Sequence, residues 1–254
     1  GRCLASLCAH SRQAAWRRYS SADARAWQGQ HQASRLWVYV RDNRPAGDPA
    51  APAVWFAYSP DRKGAHPQEH LRHFEGILQA DGFAGYDTLY QSGKIVEAAC
   101  MAHARRKFHD IHVEQASPIT TEALRRIAEL YVVEREVRGK PPGVRGTVRQ
   151  AKARPLLDAL HGWLQASLDQ LSAKSETAKA IRYMLNRWEA LTRYGADGRI
   201  EIDNNIAERA LRTVALGRKN WLHCGSDTGG DRAAAMYSLI GSAKMNGLDP
   251  FVYL

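Results

Sequence analysis

RLWVYVRDNRP, residues 35–45, is the stretch on which the fold of this chain turns. Leu36 to Val40 is an unbroken run of aliphatic and aromatic residues, and Arg41-Asp42-Asn43-Arg44-Pro45 behind it is turn chemistry. It therefore reads as a strand running into a loop. VWFAY (54–58) repeats the pattern and stops at Ser59-Pro60-Asp61, so the two runs predict a hairpin with a long connection. Gln68 to Gly76 reads as a short helix, Ile77 to Ala80 as a short apolar run closing on Asp81, and Ile95 to Cys100 as a further strand leading into a helix at His103.

Beyond this point the grammar is helical. Ser117-Pro118 supplies an N-cap and a first-turn proline for a helix to about Val137. Two more helices are expected over about 147–171 and 174–194. Leu156, Leu160, Trp163, Leu164, Leu168 and Leu171 line the first, and Ala178, Ile181, Leu185, Trp188 and Leu191 the second. Asp203-Asn204-Asn205 opens a helix through Val214, with Ile206, Ala210 and Val214 toward the core and Asn204, Glu208 and Arg212 along another face. A glycine-rich loop, 225–230, precedes a last helix from Asp231 to Asn246. Strands followed by helices imply an α/β or α+β sheet domain interrupted by a helical insertion of about 80 residues.

Upstream of Arg35 the composition breaks. Residues 1–34 contain eight Ala, five Arg, five Ser and four Gln, with no Lys, Glu, Ile, Val or Pro and no sustained apolar period. They carry five of the basic residues against one acid, Asp23, for a net +4, whereas residues 35–254 carry +6 of the total +10. This segment is expected to be a disordered basic arm or an out-of-frame leader.

With 44% hydrophobic and 24% charged residues the chain is ordinary for a globular protein, which excludes wholesale disorder. No apolar run is long enough to span a bilayer. Cys3, Cys8, Cys100 and Cys224 are too few and scattered for a disulfide scaffold, which favours a reducing, cytoplasmic setting. The basic balance favours a polyanionic partner.

Few residues carry chemistry on their own pattern. Asp81 closes an apolar run ahead of a glycine, a place suited to a hard cation or simply to a turn. Glu208 shares a helix face with Arg212, which also suits an ordinary surface ion pair. Arg105-Arg106-Lys107 and Arg218-Lys219 are possible phosphate contacts or solvated faces. Cys100 and His103, with His223-Cys224, do not make a convincing zinc set, because adjacent residues seldom ligate one tetrahedral ion.

Taken together, several runs resemble the transposases of the bacterial insertion sequence 66 family. They are RLWVYVRDNRP (35–45), VWFAYSPDRKGAHPQEHL (54–71), ILQADGFAGYDTLY (77–90), AACMAHARRKF (98–108), RPLLDAL (154–160), KAIRYMLNRWEALTRY (179–194), IEIDNNIAERALR (200–212) and GRKNWLHCGSDTGGDRAAAMYSLIGSAKMNGLDP (217–250). The resemblance covers residues 35–254. It implies a ribonuclease H-like core with a large all-helical insertion between the second Asp and the Glu of an Asp-Asp-Glu triad. The implied divisions are a first core segment at 35–115, the insertion at 116–198, and a closing core segment at 199–254 that carries the Glu helix.

Carried over by position, Asp81 is the second Asp and Glu208 the Glu, both as ligands of a two-Mg²⁺ site that acts on DNA by phosphoryl transfer. Arg105, Arg106, Lys107, Arg209, Arg212, Arg218 and Lys219 are the implied DNA contacts, and His103 and Asn204 the supporting residues. Insertion-element ends, target DNA, further copies of the chain and accessory proteins of the element are the implied partners, with no membrane.

One family feature is missing. The resemblance places a first Asp on the first, central strand, in a motif like Asp-Asp-Thr, and Asp23 does not have that context. Ordinary GC-rich codons for Trp16 to Gln32, read from the second base, spell Gly-Asp-Asp-Thr, so a frameshift accounts for the loss. The expectation is an inactive remnant without its first Asp or first core strand. The alternative is a non-catalytic DNA-binding protein descended from a transposase.

Overall fold

The computed structural model describes residues 34–217 and 226–254, with the backbone of 5–14. Asp23, the Trp16–Gln32 segment, Arg218, Lys219, His223 and Cys224 lie outside the described residues. The chain divides into a sheet unit (Gly1–Asp42, Ala50–Val96 and Asn205–Leu254) and a helical unit (Asn43–Pro49 and Glu97–Asn204).

The sheet is built from β1 (Ala5–Ala14), β2 (Ser34–Arg41), β3 (Ala53–Ser59), β4 (Gly76–Ala80) and β5 (Ile95–Ala99), in the order β3-β2-β1-β4-β5. β2 runs antiparallel to β3 and to β1, and β4 runs parallel to β1. The 35–45 and 54–58 runs thus form the expected hairpin. The strand at Ala5–Ala14 lies within the segment expected to be a disordered arm or an out-of-frame leader. Its sequence, ASLCAHSRQA, has no alternating pattern. Backbone pairing on both sides, with β2 and β4, makes it a strand where side-chain periodicity gives no sign of one.

Period-2 alternation in β2 sends Leu36, Val38 and Val40 to one face and Trp37 and Tyr39 to the other. All five are buried, because both faces are covered. On the first face α9 (Asn205–Gly217) and α10 (Asp227–Met245) contribute Ala207, Leu211, Val214 and Ala234. On the second, Leu71, Leu78, Ala80, Tyr86, Leu89 and Ile95 close around Trp37 and Tyr39. The short helix before β4, α1, spans Ala65–His70 rather than starting at Gln68, and α2 spans Asp87–Gln91.

α10 lies along β3, the edge strand, at very close range. A Cβ on Gly230 would sit 2.4 Å from the Tyr58 ring, and one on Gly241 would sit 2.6 Å from Val54, so both positions require glycine. The 225–230 stretch, read as a loop, therefore delivers the first turn of α10 from Asp227, and the Ser226 hydroxyl caps that turn by accepting from the Gly229 N–H at 3.1 Å. A short α11 (Pro250–Tyr253) follows an Asp249 cap.

The helical unit contains α3 (Met101–Glu114), α4 (Pro118–Val137), α5 (Pro142–Val148), a π-helical turn (Arg149–Ala153), α6 (Arg154–Asp169), α7 (Glu176–Asn186) and α8 (Trp188–Thr192). The sequence reading sets the start of the helical insertion at 116, and this unit also takes in α3. Ser117 and Thr120 form a reciprocal capping box at the start of α4, as Ser117-Pro118 foretold. The helix expected over about 147–171 runs without a break from Pro142 to Asp169, with the π turn at Arg149–Ala153 inside it. The buried stripe of α6 is Leu157, Leu160, Leu164 and Ser167: Leu160 and Leu164 are buried as expected, whereas Leu156, Trp163 and Leu168 are only partly buried. Trp163 instead sits partly exposed under the Arg126 guanidinium, 5.3 Å from ring centroid to charge.

Charge is buried at the centre of this unit. Arg149, fully buried, donates from Nε and Nη2 to both Glu134 oxygens at 2.8 and 2.6 Å, and from Nη1 to the carbonyls of Tyr194, Asp197 and Ile200. Arg145 pairs with Glu201 beside it. Together these arginines tie α4 and the π turn to residues 194–201.

Candidate functional site

Asp81 follows β4 directly. Gly82, at φ +77°, turns the chain where a side chain would be strained. The backbone N–H of Phe83 donates to Asp81 Oδ1 at 3.3 Å, which fixes the carboxylate at the strand's carboxyl end. Leu78 and Ala80 pack with Trp37 and Tyr39. Alternation carried one residue past Ala80 therefore assigns Asp81 to the opposite sheet face, the one beneath α9. Tyr86, buried at the start of α2, has its hydroxyl pushed well up, first by burial, then by the charges of its neighbours, Asp81 among them.

Glu208 sits in the first turn of α9, half-buried. The helix meets the sheet through Ala207, Leu211 and Val214, with Ile206 and Ala210 partly buried beside them. The core face is thus rotated by about one residue from the expected 206-210-214 stripe, which leaves Glu208 at its margin. Arg209 and Arg212, on the same helix, are exposed. Asp81, Glu208, Arg209 and Arg212 all belong to the sheet unit.

The remaining expected site residues that are described belong to the helical unit. Arg105, Arg106 and Lys107 are exposed on α3, and the Lys107 ammonium stands 4.5 Å from the Tyr183 ring centroid. His103 is half-buried on the same helix. Asn204 is fully buried, and its backbone N–H donates to Cys100 Sγ at 3.4 Å. Burial pushes the Cys100 thiol up to about 12, so this cysteine is a packed core residue rather than a thiolate ligand. Asp203, read as a cap, accepts from the Tyr131 hydroxyl at 3.1 Å.

Asp81 and Glu208 supply hard oxygen donors of the kind a magnesium ion takes. Among the described residues no group of three or more His, Cys, Asp or Glu side chains is gathered for a metal. β1, the central strand, has no Asp or Glu in its sequence. Asp81 and Glu208 are both oxygen donors of the type a divalent ion takes, and they come from different elements of the sheet unit. Sequence reading missed one neighbour of Asp81: the Arg62 guanidinium lies 4.2 Å from the centroid of the Phe83 ring. The Pro60-Asp61-Arg62-Lys63-Gly64 turn, two basic residues inside turn chemistry, was the available signal.

A family model described as Transposase IS66 family matches residues 17–232. Among curated proteins, the chain is similar to uncharacterized protein y4hP of Sinorhizobium fredii, 43% identical over 236 residues, covering 87% of this chain and 43% of that protein. It is 42% identical over 226 residues to y4qI of the same organism, covering 86% and 42%. It is 40% identical over 226 residues to y4jD, also of that organism, covering 87% and 44%. The chain therefore spans less than half the length of the curated relatives it matches. No solved structure matches it. Among the described residues no helix is long and apolar enough to cross a membrane.

Proposed function

Because the chain belongs to the IS66 family of transposases, we propose that its sheet unit is a ribonuclease H-like catalytic core that acts on DNA and is inactive in strand transfer as it stands. The observation that carries this reading is the placement of Asp81. It follows β4, the strand parallel to central β1, and alternation along β4 would turn it toward the sheet face on which α9 packs. Ligand sites of open α/β sheets lie at strand carboxyl ends.

Asp81 and Glu208 are the residues to hold a divalent cation. Bound there, magnesium supplies charge stabilisation at the phosphoryl oxygens. Phe83 N–H holds the Asp81 carboxylate in place, and Ala207 and Leu211 anchor the helix of Glu208. The expected loss of activity follows from the missing first Asp. The resemblance puts the first Asp in an Asp-Asp-Thr motif ahead of β2, and no such motif stands in residues 1–34. Arg209, Arg212, Arg105, Arg106, Lys107, Arg218 and Lys219 are proposed DNA contacts, with His103 and Asn204 in support. Element ends and target DNA are the proposed substrates, further copies and accessory proteins the proposed partners, and the cytoplasm the proposed setting.

The test is DNA cleavage and strand transfer with Mg²⁺, comparing this chain with an intact relative. The reading predicts little or no activity here. Activity equal to the relative's, lost on Asp81→Ala, overturns the inactivity. DNA binding with steep salt dependence, indifferent to Mg²⁺ and to Glu208→Gln, supports the non-catalytic alternative, which the +10 charge favours.

A further inference from the structure

β2 runs antiparallel to β1 and β4 parallel to it, so the first residues of β2 and the last of β3 lie at the same end of the sheet as Asp81. Arg35 pairs in register with Ser59 there. The segment that follows Ser59 is tightly built. The Ser59 hydroxyl accepts from Trp37 Nε1 at 2.7 Å and donates to the Asp61 carbonyl at 2.6 Å. Asp61 accepts from the Lys63 N–H and from His66, and pairs with the Lys63 ammonium at 3.2 Å.

Gly64 approaches Gly85 so closely that an added Cβ would meet the Gly85 carbonyl oxygen at 3.0 Å, which locks this turn onto the loop that follows Asp81. Arg62 lies over Phe83, whose N–H holds Asp81, and Phe83 in turn packs on Trp37 at 5.9 Å. Asp61 balances Lys63. Arg35 and Arg62 are close enough for Arg62 to depress the Arg35 guanidinium, second to its desolvation. Neither forms an ion pair with a described residue, and Arg35 Nε is buried with no hydrogen-bond partner among the described residues. Two neighbouring guanidiniums kept without a carboxylate, one stacked on a ring, are a poor arrangement for stability and a good one for an anion.

We propose that Arg35 and Arg62 form a phosphate clamp for DNA at the end of the sheet where Asp81 lies, on the face of Trp37 and Phe83. They are positioning residues: they fix the backbone while the chemistry belongs to the carboxylates. This rests on the proposed DNA-processing reading of the same site and adds to it the group that the site grips.

The test is binding of a short random-sequence DNA duplex across a salt series with a chelator present, so that metal plays no part. Each phosphate contact contributes about 0.9 to the slope of log affinity against log salt. Arg62→Gln is expected to lower the slope by about 0.9, Arg35→Gln with Arg62→Gln by about 1.8, and Arg62→Lys to keep it near the parent value. Lys244→Gln, an exposed lysine on α10, is expected to leave it unchanged. Because Arg62 is exposed, Arg62→Gln decides the matter even where Arg35→Gln impairs folding. A parent-like slope in Arg62→Gln, or an equal drop in Lys244→Gln, overturns the clamp. An arginine effect without metal binding at Asp81 keeps the clamp and removes the catalytic reading. Metal binding with an unchanged slope does the reverse.

Discussion

The Ser238 hydroxyl accepts from the Phe56 backbone N–H at 2.8 Å and faces the carbonyl of the same residue at 3.4 Å. One helical turn on, Ser242 repeats the arrangement at Val54, with 3.1 Å to both N and O, and Asn246 donates to the Pro52 carbonyl at 2.9 Å. Spacing by four on α10 meets spacing by two on β3. The free edge of the sheet, which would otherwise offer unpaired backbone groups to another chain, is closed by side chains.

Ser238→Ala leaves the Phe56 N–H without its acceptor, and Ser242→Ala does the same at Val54. Each substitution is expected to cost about 1–3 kcal/mol, read by urea unfolding. The double variant is also expected to self-associate as its β3 edge is uncovered, measurable by sedimentation.

Glu134 and Arg149 are a buried pair, so removal of one partner strands the other. Glu134→Gln is expected to destabilise the helical unit by about 3–5 kcal/mol. Glu134→Leu combined with Arg149→Met should cost less than that single change, because both charges of the pair are removed and the neighbouring Arg145 keeps Glu201. A smaller loss in Glu134→Gln than in the double variant would contradict this.

His70 is held low, to about 4, first by burial and then by the charge of His66. Its Nδ1 lies 3.0 Å from the Tyr39 hydroxyl, a geometry in which a neutral ring accepts and a protonated one cannot. The folded value lies below the unfolded one of about 6.5, so the folded state prefers the neutral ring. The stability this gives is present above about 6.5 and is lost as pH falls toward 4. Thermal unfolding across that window should show the loss, and His70→Gln should flatten it. An unchanged slope in the variant would remove His70 as its source.

The frameshift reading makes a prediction at the level of the gene. The nucleotide sequence across codons 16–32, read one base along, should encode Asp-Asp-Thr without a stop. A stop in that frame, or the absence of Asp-Asp-Thr from it, refutes a frameshift as the origin of residues 1–34.

The β2–β3 hairpin was legible because its alternation is strong on both faces, and the start of α4 because Ser117-Pro118 carries its own cap. Asp81 and Glu208 are proposed as site residues only through long matching runs, since an Asp closing a strand is ordinarily a turn residue. The α6 and α9 stripes were legible in part, with Leu160, Leu164 and Val214 buried as expected. In both, flanking apolar residues such as Leu156 and Ile206 compete with small ones, Ser167 and Ala207, that are in fact buried. β1 could not be read at all, since pairing on both sides defines it and its sequence has no alternation. Arg62 escaped because its meaning depends on Phe83, twenty-one positions away.

The central claim is that Asp81 and Glu208 serve one cation. It is tested most directly by titrating Mn²⁺, as a spectroscopic substitute for Mg²⁺, into the parent chain, Asp81→Asn, Glu208→Gln and the double variant, each shown to be folded. The account predicts weak binding in the parent, its loss in either single variant, and no further loss in the double. Parent-like binding in both single variants would contradict it.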